Sequence, residues 1–269
     1  MQIRTYLGDS DEENYVLRAF HEACGGELAA LDDYQPSDIA VVFGTFKKHV
    51  ARSFKRGAIV KAQKEKGLDA LIIETGYINR GAGQRNHYSV GFNGINGRAD
   101  FRNRNSPHDR MKKLGITPAD WKNGDHVVLC GQVPWDASVD FSNHVDWLHK
   151  TARGIFLNTS RAVIFRPHPL CKLKPIDGTI YSTRALANDL KDAFACVTFN
   201  SNSGVEAALA GVPVFALDEG SMAYPIASHS LTDLEAPKKP DRTQWLADLC
   251  YAQWMPEEFG EACRHLRLT

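Results

Sequence analysis

The sequence predicts a doubly wound α/β fold, in which helices cover both faces of parallel sheets. Short runs of consecutive apolar residues, rich in Val, Ile and Phe, recur along the 269-residue chain. Continuous rather than alternating apolar runs indicate strands that are buried on both faces. The predicted strands are 39–43, 70–73, 127–130, 162–165, 195–198 and 212–215. Helical patterns lie between several of them, at about 46–66, 137–153, 184–192 and 203–210. This alternation is typical of βαβ units.

A long segment rich in Gly, Asn and Arg separates the second and third predicted strands. It covers about 76–108 and contains the aromatic residues Tyr77, Tyr88, Phe92 and Phe101. A structureless loop of this length inside a compact domain is either functional or mobile, so the segment is a candidate binding loop. We expect one lobe over 1–123, a second over 124–235, and a helical tail over 236–269 that packs back.

Composition excludes several classes of protein. Hydrophobic residues make up 43% of the chain and charged residues 24%, which is typical of a globular protein. No apolar run is long enough to span a membrane, and the acidic N-terminal segment does not resemble a secretion signal. The six cysteines lie far apart without a CxxC pair, which favours buried thiols in a reduced cytoplasm over disulfides or a metal site.

Charge is unevenly distributed although the net charge is zero. Residues 1–46 carry two basic and nine acidic side chains, whereas residues 47–66 carry eight basic and one acidic. Residues 80–113 carry eight basic and two acidic side chains. This distribution predicts a positive face for an anionic partner, and a solvated helix face is the alternative interpretation of 47–66.

Four polar segments follow predicted strands, at the edge where open α/β sheets bind ligands. The first, Glu74-Thr75-Gly76-Tyr77, has a carboxylate before a turn and, taken alone, indicates a surface Glu. The second ends a strand in Gly131-Gln132 and places Asp136 at the start of a predicted helix. Asp136 is therefore either the N-cap of that helix or a carboxylate that acts as base or nucleophile.

The third and fourth segments contain groups that suit phosphate binding. In Arg166-Pro167-His168-Pro169, two prolines fix the backbone around a histidine that stands beside an arginine. The fourth segment, 198–214, has a polar turn that opens a helix near Ser203, and a helix N-terminus attracts anions. Glu206 is placed to bond a ribose diol, and Ser203 with Glu206 also fits a capping box.

Taken in order, these segments resemble the capsule polysaccharide synthesis family, which includes bacterial β-Kdo transferases. Spacing excludes other nucleotide and hydrolase motifs, since the chain has no GxGxxG after a strand, no P-loop, no HExxH and no GxSxG. The sequence departs from the family pattern at Thr75 and Trp135, where acidic residues are usual, and at Ala208, where Leu is usual. The matching segments are 74–80, 131–136, 166–169 and 201–214.

The resemblance implies a GT-B-like fold of two Rossmann-like lobes that uses a nucleotide-activated sugar without a bound metal or cofactor. It implies that Asp136 is the catalytic carboxylate, as nucleophile or base, and that Glu74 is a second acid/base or orients the acceptor. His168 would bind the donor phosphate. The implied donor-binding residues are Gly131, Gln132, Arg166, His168, Asn200, Ser201, Asn202, Ser203, Gly204 and Glu206. A carboxylate and phosphate-binding groups both suit an oxocarbenium-like transition state.

Cations interleaved with aromatic residues in the N-terminal lobe suit a phosphodiester backbone with stackable bases. The leading hypothesis for the acceptor is duplex DNA with hydroxymethylated pyrimidines, as in base-glycosylating enzymes of bacteriophages, with the base flipped out. The candidate acceptor-binding residues are Arg80, Arg85, Tyr88, Arg98, Arg102 and Arg104.

Two alternatives stay open. In the first, the enzyme is Kdo-transferase-like and its acceptor is an acidic capsular or surface polysaccharide. A basic lobe would also attract such an acceptor. Otherwise the chain is a non-catalytic nucleotide or nucleic-acid binding protein on a degenerate transferase fold. The presence of Glu74, Asp136 and His168 together argues against this second alternative, because a binding protein does not need all three.

Overall fold

The structure, a computed structural model, describes residues 1–8, 10–44, 51–80, 86–139 and 143–269. It confirms the α/β fold class, with two sheets in two compact units. Unit 1 comprises Met1–Arg110 and Leu246–Thr269, and unit 2 comprises Met111–Trp245. The chain thus divides after Arg110, whereas the sequence analysis placed the lobe boundary at 123. The predicted tail, 236–269, contributes residues to both units.

The elements alternate between strands and helices along most of the chain. In order they are β1 (Ile3–Leu7), α1 (Asp11–Cys24), β2 (Glu27–Ala30), β3 (Ile39–Phe43), α2 (Ala51–Glu65), β4 (Asp69–Thr75), β5 (Tyr88–Phe92), α3 (Asp109–Lys113), β6 (His126–Cys130), α4 (His144–Asn158), β7 (Ala162–Arg166), β8 (Ile180–Tyr181), α5 (Leu186–Leu190), β9 (Ala193–Thr198), α6 (Ser203–Leu209), β10 (Val214–Ala216), α7 (Thr243–Cys250), β11 (Gln253–Trp254) and α8 (Phe259–His265).

Unit 1 contains a six-stranded sheet in the order β11-β5-β4-β3-β1-β2. Strands β1 to β4 are parallel, whereas β5 pairs antiparallel with β4 and β11 antiparallel with β5. On one face Phe20 of α1 packs edge-on against Phe259 of α8, with ring centroids 5.4 Å apart. On the other face Ile59 of α2 packs with Val42 and Ile72. The sheet is buried on both faces, as its apolar strands predict.

The C-terminal segment is anchored to unit 1 through a buried arginine. Arg110, 3% exposed, donates from Nη2 to Glu258 Oε2 at 2.9 Å and from Nε to the Cys250 carbonyl at 3.1 Å. Its guanidinium carbon also lies 3.8 Å from the centre of the Trp254 ring. A buried ion pair with further hydrogen bonds and an aromatic contact fixes this segment in place.

A disulfide joins Cys24, at the end of α1, to Cys263 in α8, with Cα atoms 5.8 Å apart. The expectation that all six cysteines are thiols is therefore wrong for this pair. The two residues are 239 positions apart in the sequence, and they meet because α1 and α8 pack side by side. The other four cysteines are buried thiols.

The expectation of a long loop over 76–108 is also wrong for much of that segment. Strand β5 pairs with β4 from Leu71↔Phe92 to Thr75↔Tyr88. Tyr77 and Phe101 are buried and meet edge-on, with ring centroids 6.1 Å apart. The flanking Gly, Asn and Arg residues concealed this strand in the sequence. Residues 81–85 lie outside the described part of the chain.

Opposite charges that are separate in the sequence meet in unit 1. Arg56 forms a two-pronged ion pair with Glu13 and donates to the Phe43 carbonyl at 2.7 Å. Lys55 pairs with Asp32 at 2.6 Å. Acidic groups of residues 1–46 thus neutralise part of the basic segment 47–66, so the charge runs are a poorer guide to an anionic partner than the sequence indicated.

Unit 2 contains a parallel five-stranded sheet in the order β10-β9-β6-β7-β8. Leu148 and Ile155 of α4 pack on Val127, Phe165 and Val197 of the sheet. The predicted helix at 137–153 is displaced, since α4 begins at His144 and turns occupy the described residues before it. Across the described ranges of both units, no helix is long and apolar enough to cross a membrane.

Candidate active site

The switch point of the unit 2 sheet lies between β6 and β9. The chain proceeds from β6 to β7 on one side of β6 and then places β9 on the other side. Open α/β sheets bind ligands at the carboxyl ends of the strands at such a point. Gly131-Gln132 follow β6 here, and Phe199-Asn200 follow β9. The second and fourth predicted segments therefore meet at one edge.

Gln132 and Asn200 form a reciprocal amide pair across this switch point. Gln132 Nε2 donates to Asn200 Oδ1 at 2.7 Å, and the Asn200 backbone N–H donates to Gln132 Oε1 at 2.9 Å. Both residues are buried, at 6% and 4% exposed. The side chains of these two predicted donor-binding residues therefore tie two strand ends together.

Asp136 lies on the loop that follows Gln132, and its side chain is exposed. Its Oδ1 accepts the Ser138 N–H at 2.9 Å and the Ser138 hydroxyl at 2.8 Å. Asp136 is not the N-cap of α4, which begins at His144. Asp136 is therefore not a helix cap. It is an exposed carboxylate with one oxygen held by hydrogen bonds.

His144, the first residue of α4, supports the same loop and was missed by the sequence analysis. Its Nε2 accepts the Gln132 backbone N–H at 3.1 Å, and the side chain is 3% exposed. Burial lowers the pKa of His144, and the nearby Asp136 carboxylate partly opposes this shift. A neutral imidazole therefore holds the loop. No local signal marks this residue, because its partner lies twelve positions earlier.

Arg166 ends β7 and pairs with a buried carboxylate. Its Nη1 lies 3.3 Å from Asp189 Oδ2 and also donates to the Arg184 carbonyl. Asp189 is fully buried, and the Ser182 hydroxyl, 2.9 Å from both of its carboxylate oxygens, donates its one hydrogen to the carboxylate. Arg166 thus forms a structural ion pair through Nη1, and its role in donor binding stays a prediction.

His168 follows in the turn bracketed by two prolines and is half-buried. The Leu170 N–H donates to His168 Nδ1 at 3.2 Å, and the Cys171 N–H donates to the His168 carbonyl at 2.9 Å. With Nδ1 as acceptor, a neutral His168 carries its hydrogen on Nε2. The turn thus holds the imidazole through Nδ1.

The fourth segment begins α6 at Ser203, with Asn202 as N-cap. The predicted Ser203–Glu206 capping box is absent, since the Ser203 N–H donates instead to the Ser201 hydroxyl at 3.2 Å. Ser201 and Asn202 are half-buried and Glu206 is exposed, whereas Ser203 is buried. Asn202 Nδ2 donates to Glu206 Oε1 at 3.3 Å.

Gly204 has a packing role in α6. A Cβ there would lie 3.3 to 3.4 Å from atoms of Thr198, Val214 and Ala223, and the Gly204 N–H donates to the Ser201 carbonyl. The assignment of Gly204 to donor binding is therefore corrected to close packing of the helix on the sheet.

In unit 1 the switch point lies between β1 and β3, because the chain places β2 on one side of β1 and β3 on the other. Gly8 follows β1, and Gly44 follows β3. A Cβ at Gly44 would lie 3.2 Å from Glu74 Oε2, and Gly44 has a φ of +66°. A glycine is needed here so that the half-buried Glu74 can approach the end of β3. The Arg56–Glu13 pair lies beside Gly8, where a Cβ would be 3.0 Å from Arg56 Nη2. In the sequence, a glycine directly after a strand is the feature that marks this edge of the sheet.

The turn after Glu74 is held by residues distant in the sequence. Gln253 Oε1 accepts the N–H groups of Tyr77 and Ile78 at 2.7 and 3.0 Å, and its Nε2 donates to the Ile78 carbonyl at 2.9 Å. The Gly76 N–H donates to the His87 carbonyl, and a Cβ at Gly76 would lie 2.7 Å from that oxygen. The segment therefore has a fixed conformation.

The predicted acceptor-binding residues fall into different environments. Arg80, Arg98 and Arg104 are exposed. Tyr88 is 2% exposed and packs in the core against Phe43, so its role in stacking against an acceptor is wrong. Arg102 is also exposed, and it lies over the Phe92 ring at 4.2 Å and donates to the Leu266 carbonyl. Arg85 lies outside the described part of the chain.

Solved structures with the same architecture include two from Thermosulfurimonas dismutans. The KpsC β-Kdo 2,7 transferase superimposes with a TM-score of 0.60 at 16% identity, covering 99% of this chain and 100% of that chain. The KpsC β-Kdo 2,4 transferase gives a TM-score of 0.58 at 13% identity, covering 93% and 90%. No family model and no curated protein matches the sequence. The chain therefore has the GT-B-like α/β fold seen in the KpsC β-Kdo transferases.

Proposed function

We propose that this chain is a glycosyltransferase that uses a nucleotide-activated sugar, with its donor site at the carboxyl edge of the unit 2 sheet. The observation that carries the proposal is Asp136, an exposed carboxylate held at one oxygen on a switch-point loop. A GT-B-like fold supports it, because two β-Kdo transferases share the architecture.

Asp136 is assigned the catalytic carboxylate, as nucleophile or base. Glycosyl transfer passes through an oxocarbenium-like state, in which positive charge develops at the sugar while negative charge develops on the leaving phosphate. A carboxylate stabilises the first charge. His168 is assigned to the second charge, as the group that binds the leaving phosphate. Neither role requires a metal ion, and we expect transfer to continue in EDTA.

Ser201, Asn202, Ser203 and Glu206 are assigned to the nucleotide. Ser201 and Asn202 are half-buried polar groups in the turn before α6, and Glu206 presents an exposed carboxylate suited to a ribose diol. Buried Ser203 is the weakest member of this set. In unit 1, the half-buried Glu74 is assigned to orient or deprotonate the acceptor hydroxyl.

For the acceptor we favour a sugar of a surface polysaccharide. The two solved structures with this fold are β-Kdo transferases by name, and Kdo transfer is sugar transfer. Exposed Arg80, Arg98 and Arg104 offer positive charge to such an acceptor. The same arginines also suit the phosphates of DNA with hydroxymethylated bases, but burial of Tyr88 removes the stacking contact expected for DNA.

A product screen tests the proposal. The purified protein is mixed with UDP-, GDP- and CMP-sugars, CMP-Kdo included, in EDTA, and products are identified by mass spectrometry. Parallel reactions contain an acidic oligosaccharide acceptor, duplex DNA with hydroxymethylpyrimidines, or no acceptor. Sugar added to the oligosaccharide is the expected result, and sugar on a DNA base would replace the glycan acceptor by DNA. Absence of turnover of every donor would contradict the proposal and favour a binding protein.

A further inference from the structure

Asp136 is held by the residue two positions after it. Both the backbone N–H and the hydroxyl of Ser138 lie within 2.9 Å of the same Asp136 oxygen, Oδ1. Because Asp136 is exposed, its side chain would otherwise rotate among several rotamers in water. Two hydrogen bonds to one oxygen select an orientation and direct the other oxygen, Oδ2, elsewhere.

Ser138 is in turn held by Asn200, from the end of the neighbouring strand. Asn200 Nδ2 donates to the Ser138 carbonyl at 2.8 Å, and the Ser138 hydroxyl lies 3.2 Å from Asn200 Oδ1. The second hydrogen of Asn200 Nδ2 bonds Asp218 Oδ1 at 2.8 Å, and Asp218 Oδ1 also accepts the Gly220 N–H at 3.0 Å. The side chain of Asn200 thus links the loops after β6, β9 and β10.

Both donor hydrogens of the Asn200 amide are used inside unit 2. Its NH₂ group donates to Ser138 and Asp218, and Oδ1 accepts from Gln132 Nε2 at 2.7 Å. An amide has two donor hydrogens, so none is left for a ligand. At 4% exposed, Asn200 is also closed to direct contact with a donor sugar.

We propose that Ser138 and Asn200 are positioning residues that fix the Asp136 carboxylate in its reactive orientation. The inference rests on the proposed function, because it takes Asp136 as the catalytic group. Catalysis requires the reacting group within a fraction of an ångström of its productive position, and supporting hydrogen bonds supply that precision. Ser138 acts on the carboxylate directly, and Asn200 acts through the main chain of Ser138, whose carbonyl accepts from Asn200 Nδ2.

The test is steady-state kinetics of Ser138→Ala, Ser138→Thr and a matched control, Ser160→Ala, with the donor found in the product screen. Ser160 is exposed and precedes β7, at the opposite edge of the sheet. We expect Ser138→Ala to lower kcat by about 10- to 100-fold with the donor KM nearly unchanged. Ser138→Thr keeps the hydroxyl and restores most of the rate, and Ser160→Ala behaves as the unaltered protein.

A double-mutant cycle separates this inference from the proposed function. If Ser138 acts through Asp136, Ser138→Ala causes no further loss in an Asp136→Asn background. A rise in donor KM at constant kcat would show donor binding instead and overturn the inference, as would failure of Ser138→Thr to restore the rate. If Asp136→Asn loses activity while Ser138→Ala matches Ser160→Ala, the positioning role of Ser138 is wrong and the catalytic role of Asp136 stands. If Asp136→Asn also keeps full kcat, the catalytic role of Asp136 fails, and the inference with it.

Asn200→Ala extends the test to the second positioning residue. It should lower kcat in the same way and also lower the free energy of unfolding, since it leaves buried partners unpaired. A raised donor KM in a folded Asn200→Ala protein would contradict the positioning role. Should this variant fail to fold, the Ser138 series decides the question.

Discussion

Gln132 and Asn200 exchange two hydrogen bonds across the switch point of the unit 2 sheet, at 2.7 and 2.9 Å. The exchange ties the strand end that leads to Asp136 to the strand end that leads to α6. The proposed catalytic loop and the proposed nucleotide segment are therefore mechanically connected through one amide pair.

Gln132→Leu should destabilise the protein. The substitution leaves the buried Asn200 N–H and Oδ1 without their Gln132 partners, and unpaired buried polar groups cost about 2 kcal/mol. Denaturant unfolding measures the change, with Gln35→Leu as control because that side chain is exposed. Equal unfolding free energies for the two variants would contradict the structural role of the pair.

His144 should remain neutral to a lower pH than an ordinary histidine. Burial lowers its pKa in the folded protein, so between that pKa and about 6.5 the unfolded chain binds more protons. Stability from the neutral form is therefore present above pH 6.5 and is lost as pH falls toward the folded pKa. An NMR titration of the histidine Cε1–H signals, assigned with His144→Gln, measures this directly. A midpoint at or above 6.5 for His144 would refute the buried acceptor role.

The Cys24–Cys263 disulfide should stabilise unit 1 considerably. It closes a loop of 239 residues, for which the chain-entropy argument gives about 4 kcal/mol or more. Cys24→Ser should lower the unfolding free energy, and dithiothreitol should do the same to the unaltered protein but not to the variant. Alkylation of the denatured, unreduced protein should modify four cysteines. Modification of all six would show that the bond is absent.

His168→Gln should raise the donor KM by about tenfold or more, as expected for loss of a hydrogen bond to a charged phosphate. His149→Gln provides the control, since His149 is exposed on α4. Initial-rate measurements over a range of donor concentrations distinguish the two. A His168→Gln protein with unchanged KM and kcat would remove this residue from the donor site.

The sequence predicts the strands whose signal is local. Six apolar runs correspond to β3, β4, β6, β7, β9 and β10. Strand β1 was missed because Arg4 and Thr5 interrupt its apolar pattern, and β2 because it is an exposed edge strand. Strand β5 was hidden among Gly, Asn and Arg residues, although Tyr88, Val90 and Phe92 alternate into the core.

The site residues show the same limit. Asp136 and His168 could be proposed as site residues because a polar residue after a buried strand, or between two prolines, is visible in a short window. The structural roles of Gln132 and Asn200 could not be predicted in this way, because the two residues lie 68 positions apart. The hydrogen bonds between Gln253 and the turn after Glu74 span at least 175 positions. Residue type suggests a ligand-binding group, but only packing shows whether its hydrogen bonds are already used.

The central claim is that Asp136 carries sugar transfer, and the rate of transfer by Asp136→Asn tests it most directly. Asparagine keeps the size of the side chain and an acceptor oxygen for Ser138 but removes the negative charge. The control is Asp177→Asn, at an exposed site in the same unit. We expect Asp136→Asn to lower kcat by at least about 100-fold and Asp177→Asn to leave kcat unchanged. Transfer by Asp136→Asn at the rate of the control would contradict the account.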